Sequence, residues 1–218
     1  HAGTTTLGAA LDLDATLTIT GGALDVSSSN YGITLKSWSD TGAGTFTEQS
    51  GTVTFDVAAG TINSNEAFYN VTIDHAASTT SLGGNSLTVS NNLTITSGTL
   101  DVSLIGCVEG SAPCPVTVAG NWSNSGTFTA RSGTVTLDGV NQTISGTTTF
   151  YNLIKQEATN NTTNKTLTFT SGTTTTIVNS LTLDGLDAND KLLVRASTTS
   201  VATIDFTSSS TFSTTGYL

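Results

Sequence analysis

The 218-residue chain carries little charge, and almost none of it is positive. Only 10% of residues are charged, six Lys and Arg stand against sixteen Asp and Glu, and the net charge is −10. The cations Lys36, Arg131, Lys155, Lys165, Lys191 and Arg195 are scattered and never cluster. Nucleic acids and anionic membrane surfaces are bound through a concentrated basic footprint, so both partner classes are excluded. No apolar run is long enough for a membrane-spanning helix. Methionine is absent and proline occurs twice. The chain begins at His1 with neither an initiator Met nor an apolar leader, and it is read as a mature or excised fragment of something longer.

What fills the sequence instead is Thr, Ser, Gly and Asn. Such polarity would suit a disordered chain, but disordered chains lack β-branched alternation. Here segments of four to seven residues alternate apolar side chains with Thr: "LTIT", "GTVTF", "QTIS", "LTFT". Alternate residues of a strand face opposite ways, so each segment reads as a strand with one buried and one wet face. Gly, Asn and Ser-Gly punctuate them as tight turns. No segment sustains a 3.6-residue period, so helices should be nearly absent.

The phrase "SGTVTFD" at Ser50–Asp56 returns as "SGTVTLD" at Ser132–Asp138. The match extends outward. "LTITGGALDVS" (Leu17–Ser27) returns as "LTITSGTLDVS" (Leu93–Ser103), "GTFTEQ" (Gly44–Gln49) as "GTFTAR" (Gly126–Arg131), and "FYNVTID" (Phe68–Asp74) as "FYNLIKQ" (Phe150–Gln156). The offset is 76 residues before Ser27 and 82 after Gly44, so the second copy has gained six residues between. The chain divides into repeat one (1–76), repeat two (77–157) and a partial third (158–218), all in one elongated region.

Two all-β architectures accommodate this pattern: an antiparallel sandwich pair, or a parallel β-solenoid whose coils stack by nearest-neighbour contact. Very short strands, spacing that suits coils of roughly 20–25 residues and a tolerated six-residue insertion favour the solenoid. At about 4.8 Å per coil, nine or ten coils make a rod on the order of 45 Å long. Each copy would extend that rod by the same few coils.

Candidate chemistry is sparse. Cys107 and Cys114 sit in the inserted "GCVEGSAPCP". A disulfide pinning a projecting loop, and hence an oxidising compartment, is the favoured reading; a metal pair would lack further Cys or His ligands nearby, and free thiols are the remaining alternative. Asp184, Asp187 and Asp190 in "LDGLDANDK" offer closely spaced oxygens for Ca²⁺, but their spacing differs from the EF-hand and no Glu closes the shell, so a polar turn is preferred. His75 follows Asp74 and lies near Ser78; triads depend on geometry across the fold, and a solvated turn histidine is expected. Paired acids recur at equivalent positions, Asp25 with Asp101 and Asp56 with Asp138, which indicates turn chemistry where an active site would be singular. No enzyme and no cofactor are expected.

Trp38 and Trp122 occupy corresponding regions of the copies, and core packing is favoured over a sugar platform. In each "FYN" one ring should point inward and one outward. Thr-x-Thr pairs (Thr52–Thr54, Thr134–Thr136, Thr166–Thr168–Thr170) raise ice binding, but they fall at scattered positions. The seven Asn-x-Ser/Thr sequons, at Asn70, Asn92, Asn121, Asn141, Asn160, Asn161 and Asn164, are expected from composition alone.

"GNWSNSGTFTARSGTVTLDGVNQTISGTTTFYNL" (Gly120–Leu153) and "KTLTFTSGTTTTIVNSLTLDG" (Lys165–Gly185) with "LLVRAST" (Leu192–Thr198) resemble the repeat units of large secreted bacterial surface proteins described as β-strand repeat proteins. That resemblance implies a right-handed β-helix in an extracellular, non-catalytic, adhesin-like protein, and brings no functional residues with it. The expected role is a segment of a cell-surface fibre, surface layer or adhesin stalk. It would associate end to end or with neighbouring repeats; a glycan- or cell-surface-binding module is the alternative.

Overall fold

In the computed structural model, which describes residues 3–40, 42–102, 115–156, 163–214 and 217–218, every regular element is a β-strand. The described residues form 22 strands, and their pairings are parallel. The solenoid is the architecture found; the antiparallel sandwich is not. Parallel neighbours cannot be joined by a two-residue hairpin, so the chain must travel round the rod before it pairs with itself.

Each circuit contributes three paired segments. The first face carries, among others, Ala23–Asp25, Leu87–Val89, Val116–Val118 and Thr134–Leu137. The second carries Thr52–Phe55 and Trp122–Asn124, with the opening halves of Asn70–Leu82 and Leu93–Asp101. The third carries Gly60–Asn63 and Thr127–Thr129, with the closing halves of those same long strands. Where one strand serves two faces its register shifts at the corner, as between Ile95 and Thr99 or between Phe150 and Asn152. Nine circuits run from Thr4–Thr6 to Thr203–Phe206, and Thr211–Ser213 begins a tenth. The spacing between rungs ranges from 18 residues (Val53 to Val71) to 31 (Leu181 to Phe212).

The core is built from vertical columns of inward side chains. On the second face Ile33, Val53, Val71 and Leu93 stack in register, beside Leu35, Phe55, Ile73 and Ile95. All eight are at most 2% exposed. Alternation leaves the intervening hydroxyls outside, as in Val116–Val118, where Thr117 sits between two buried valines. The 29-residue step from Leu93 to Trp122 contains the inserted segment, yet Leu87 still pairs Val116 and Leu93 still pairs Trp122. The ladder is thus in register on both sides of the inserted segment. Cys107 and Cys114 lie outside the described residues.

The two copies do not stack as whole coils. Between "TVTF" and "TVTL" the chain passes through nine strands, Gly60–Asn63 to Thr134–Leu137, of which two serve two faces each, giving eleven segments. Eleven segments at three per circuit are three coils and two thirds. Thr52–Phe55 therefore lies on the second face and Thr134–Leu137 on the first. Trp38 pairs Ile62 on the third face, and its counterpart Trp122 pairs Ile144 on the second. Repetition extends the rod as expected, but each copy is turned by one face relative to the last.

Packing survives that rotation. Trp38, Phe46 and Phe68 meet with ring centroids 4.6, 5.1 and 5.9 Å apart. Trp122, Phe128 and Phe150 repeat the cluster at 4.8, 5.0 and 5.8 Å. Offset and edge contacts of this kind add to the large apolar area aromatic rings bury. Replacing Trp122 by Ala should cost about 3–5 kcal/mol, read as a fall in the urea midpoint, whereas Tyr151→Ala, at the half-exposed position beside buried Phe150, should shift that midpoint far less.

Candidate functional site

The residues nominated from sequence do not converge. Trp38 and Trp122 are 1% and 0% exposed, so neither offers a face for a sugar ring. Their indole N–H groups are satisfied inside: Trp38 donates to Asp40 Oδ2 at 2.7 Å, and Trp122 to Thr148 Oγ1 at 3.2 Å. The buried Asp40 carboxylate also accepts from Ser64 Oγ at 2.7 Å and the Asn65 amide at 2.9 Å. Asn124 takes its place in the second copy, donating to Thr148 Oγ1 at 3.1 Å. Both are core-locking groups, because a buried indole N–H without a partner is costly.

His75 is not the solvated turn histidine expected. It lies within strand Asn70–Leu82, is 4% exposed, and shares a 2.8 Å hydrogen bond between Nε2 and Thr80 Oγ1. Its Nδ1 is buried with no hydrogen-bond partner among the described residues. Asp74 faces away and accepts from Ser97 Oγ at 2.9 Å; Ser78 Oγ accepts from the Ala59 amide at 2.7 Å. No triad is assembled. The ring lies against Gly98, whose φ of +72° and contact with the His75 backbone leave no room for a Cβ. His75 instead continues the inward alternation of the strand, since Val71, Ile73 and His75 are all buried while Asp74 is exposed.

Of Asp184, Asp187 and Asp190, the last two are likewise turned to the backbone. Asp187 Oδ1 accepts from the amides of Asn189 (2.7 Å) and Asp190 (3.1 Å), and the fully buried Asp190 accepts from the Thr163 amide at 2.6 Å. Among the described residues no three His, Cys, Asp or Glu side chains are grouped to hold a metal ion. The Asp25 and Asp101 pair shows how repeated acids serve turns. Asp25 accepts from the Ser27 amide at 2.8 Å and from Gln49 at 3.2 Å, whereas Asp101 takes a two-pronged ion pair from Arg131, the residue that replaces Gln49.

Three of the sequons have a structural cause that composition alone does not supply, whereas Asn160 and Asn161 lie outside the described residues. Asn70, Asn92 and Asn121 occupy successive rungs of the second face. Asn70 Oδ1 accepts from the Asn92 amide (3.2 Å), Asn92 Oδ1 from the Asn121 amide (2.8 Å), and Asn121 Oδ1 from the Thr143 amide (2.7 Å). The hydroxyl two residues on falls into the next column: Thr34, Thr54, Thr72, Thr94, Ser123 and Ser145 stand in register. Asn-x-Ser/Thr is thus the local spelling of a carboxamide ladder beside a hydroxyl ladder. The Thr-x-Thr pairs themselves are divided between faces by the eleven-segment repeat.

One polar group was not singled out from sequence. Lys155 and Gln142 are 1% and 2% exposed, and both point into the core. Comparison of the chain with protein-family profiles, with curated proteins and with solved structures returned no match. Function therefore rests on the molecule itself. Adding a Cβ at Gly98 would strain a positive φ and press on the His75 backbone, so Gly98→Ala should lower stability by at least about 2 kcal/mol; equilibrium unfolding of that variant beside Gly172→Ala, where a Cβ meets nothing within 4 Å, separates the clash from the φ strain.

Proposed function

We propose that the chain is a non-catalytic structural segment of an extracellular fibre, surface layer or adhesin stalk. The observation that carries this reading is the unbroken parallel ladder along the second face. It runs from Leu11–Thr18 through seven intervening strands to Leu192–Ala196. Its backbone hydrogen bonds lie along the rod, so separating any two coils means breaking a row of them together. An acidic, hydroxyl-rich exterior keeps such a rod in solution.

The partner this surface suits is another coil. The last two circuits present Phe206 and Phe212, 41% and 54% exposed and 6.1 Å apart, and Val201 is also exposed at 77%. Parallel stacking is polar, so a top edge complements a bottom edge and continues the ladder. Neighbouring repeats of the same protein, or a second copy end to end, would both satisfy it.

Electron microscopy across a concentration series tests this. At about 4.8 Å per coil, nine coils give rods of roughly 43 Å. Separate rods of that length, or filaments with that axial repeat, agree with the proposal; compact isotropic particles contradict it.

A further inference from the structure

The inward column of the first face reads Val89, Val118, Leu137, Lys155 and Leu183, all in register. A lysine therefore occupies a core position between leucines. The adjacent inward position on the second face is Gln142, which pairs Leu167 in the next coil. In the first copy the corresponding residues, 82 positions earlier, are Ile73 and Gly60, so both polar residues belong to the second copy alone. Unlike the turn aspartates, this pair is singular.

The two side chains are in contact and held in place. Lys155 Nζ lies 2.6 Å from Gln142 Oε1 and also donates to the Gly139 carbonyl. The Gly139 amide donates to the same Oε1 at 3.0 Å. Gln142 Nε2 donates to the carbonyls of Val118 (2.8 Å) and Gly120. The carboxamide is thus oriented at both ends, with a backbone N–H on the oxygen where negative charge would develop during attack on Cδ. Burial excludes competing water and fixes the amine against the carboxamide, which is the proximity that turns a slow bimolecular step into an intramolecular one.

We propose that Lys155 and Gln142 form an intramolecular isopeptide bond. Nζ first gives up one proton, its freed lone pair attacks Cδ, the Cδ–Nε2 bond breaks, and that proton together with the second one lost from Nζ leaves on the departing nitrogen. The side chains of a lysine ammonium and a glutamine carboxamide become one secondary amide and one ammonium ion, with no oxidant or external co-reactant. The bond joins the seventh coil to the eighth and replaces an ionisable core group with a neutral one, consistent with the cost of keeping charge away from water. It does not depend on the fibre reading and can fail independently of it.

Mass spectrometry of the intact, aged protein tests the proposal. The expected mass is lower than the sequence mass by one ammonia. Trypsin would then fail to cleave after Lys155 and would release Ser132–Lys165 as one internally bridged peptide carrying that loss, since Arg131, Lys155 and Lys165 are the successive cleavage sites. Lys155→Met, which keeps the volume without the amine, should restore the full mass. An intact mass equal to the sequence mass after prolonged incubation of the folded protein overturns the proposal. So does an ammonia loss that maps elsewhere with Lys155 still cleaved.

Discussion

In-register parallel pairing is the constraint on which the rest of this molecule depends. Because each rung sits directly above the last, a residue's environment is decided by its column. A column position is either inside or outside for the whole height of the rod, and a slip by one residue would invert every side chain of that segment. Val, Ile, Leu and Phe hold the inward columns, as Val53, Val71 and Leu93 do. Thr, Ser and Asn fill the outward ones, where their hydroxyls and carboxamides meet water or the backbone of the next coil. The low charge of the sequence follows from the same rule, since like charges stacked one rung apart would repel.

Duplication on such a frame has a consequence that linear inspection does not show. The unit that repeats is eleven segments long, whereas the coil is three, so the copies are out of phase with the circuit. Local packing is preserved because it depends on neighbours along the chain and one coil above: both aromatic clusters form with nearly the same geometry. Surface pattern is not preserved, because identical phrases emerge on different faces. A rod made this way spreads its repeated features around the axis, which suits a stalk with no preferred side.

Much of the fold was legible because period-two alternation is written plainly in "LTIT" and "GTVTF". The solenoid followed from short strands and a tolerated insertion. The face on which each copy falls was not legible, since it depends on which long strands bend at a corner, as Leu93–Asp101 does near Gly98. His75, expected as a solvated turn residue, instead continues the inward alternation of Val71 and Ile73, with its ring against Gly98. The Asn ladder was hidden by composition, because Asn and Thr are common enough to make sequons look accidental. Lys155 and Gln142 drew no notice because nothing local marks an inward lysine; only its column-mates Leu137 and Leu183 do.

The central claim is that strands 18 to 31 residues apart stand directly on one another while the two copies sit on different faces. Disulfide trapping tests it most directly, because bridging requires Cα atoms within about 4.4–6.8 Å. Cysteines introduced at Thr54 and Thr72, in register on adjacent rungs, should bridge readily on mild oxidation, as should a separate pair at Thr117 and Thr136. A pair at the repeated positions Thr54 and Thr136 should not. Efficient bridging of Thr54 with Thr136, or failure of both in-register pairs, would contradict the account.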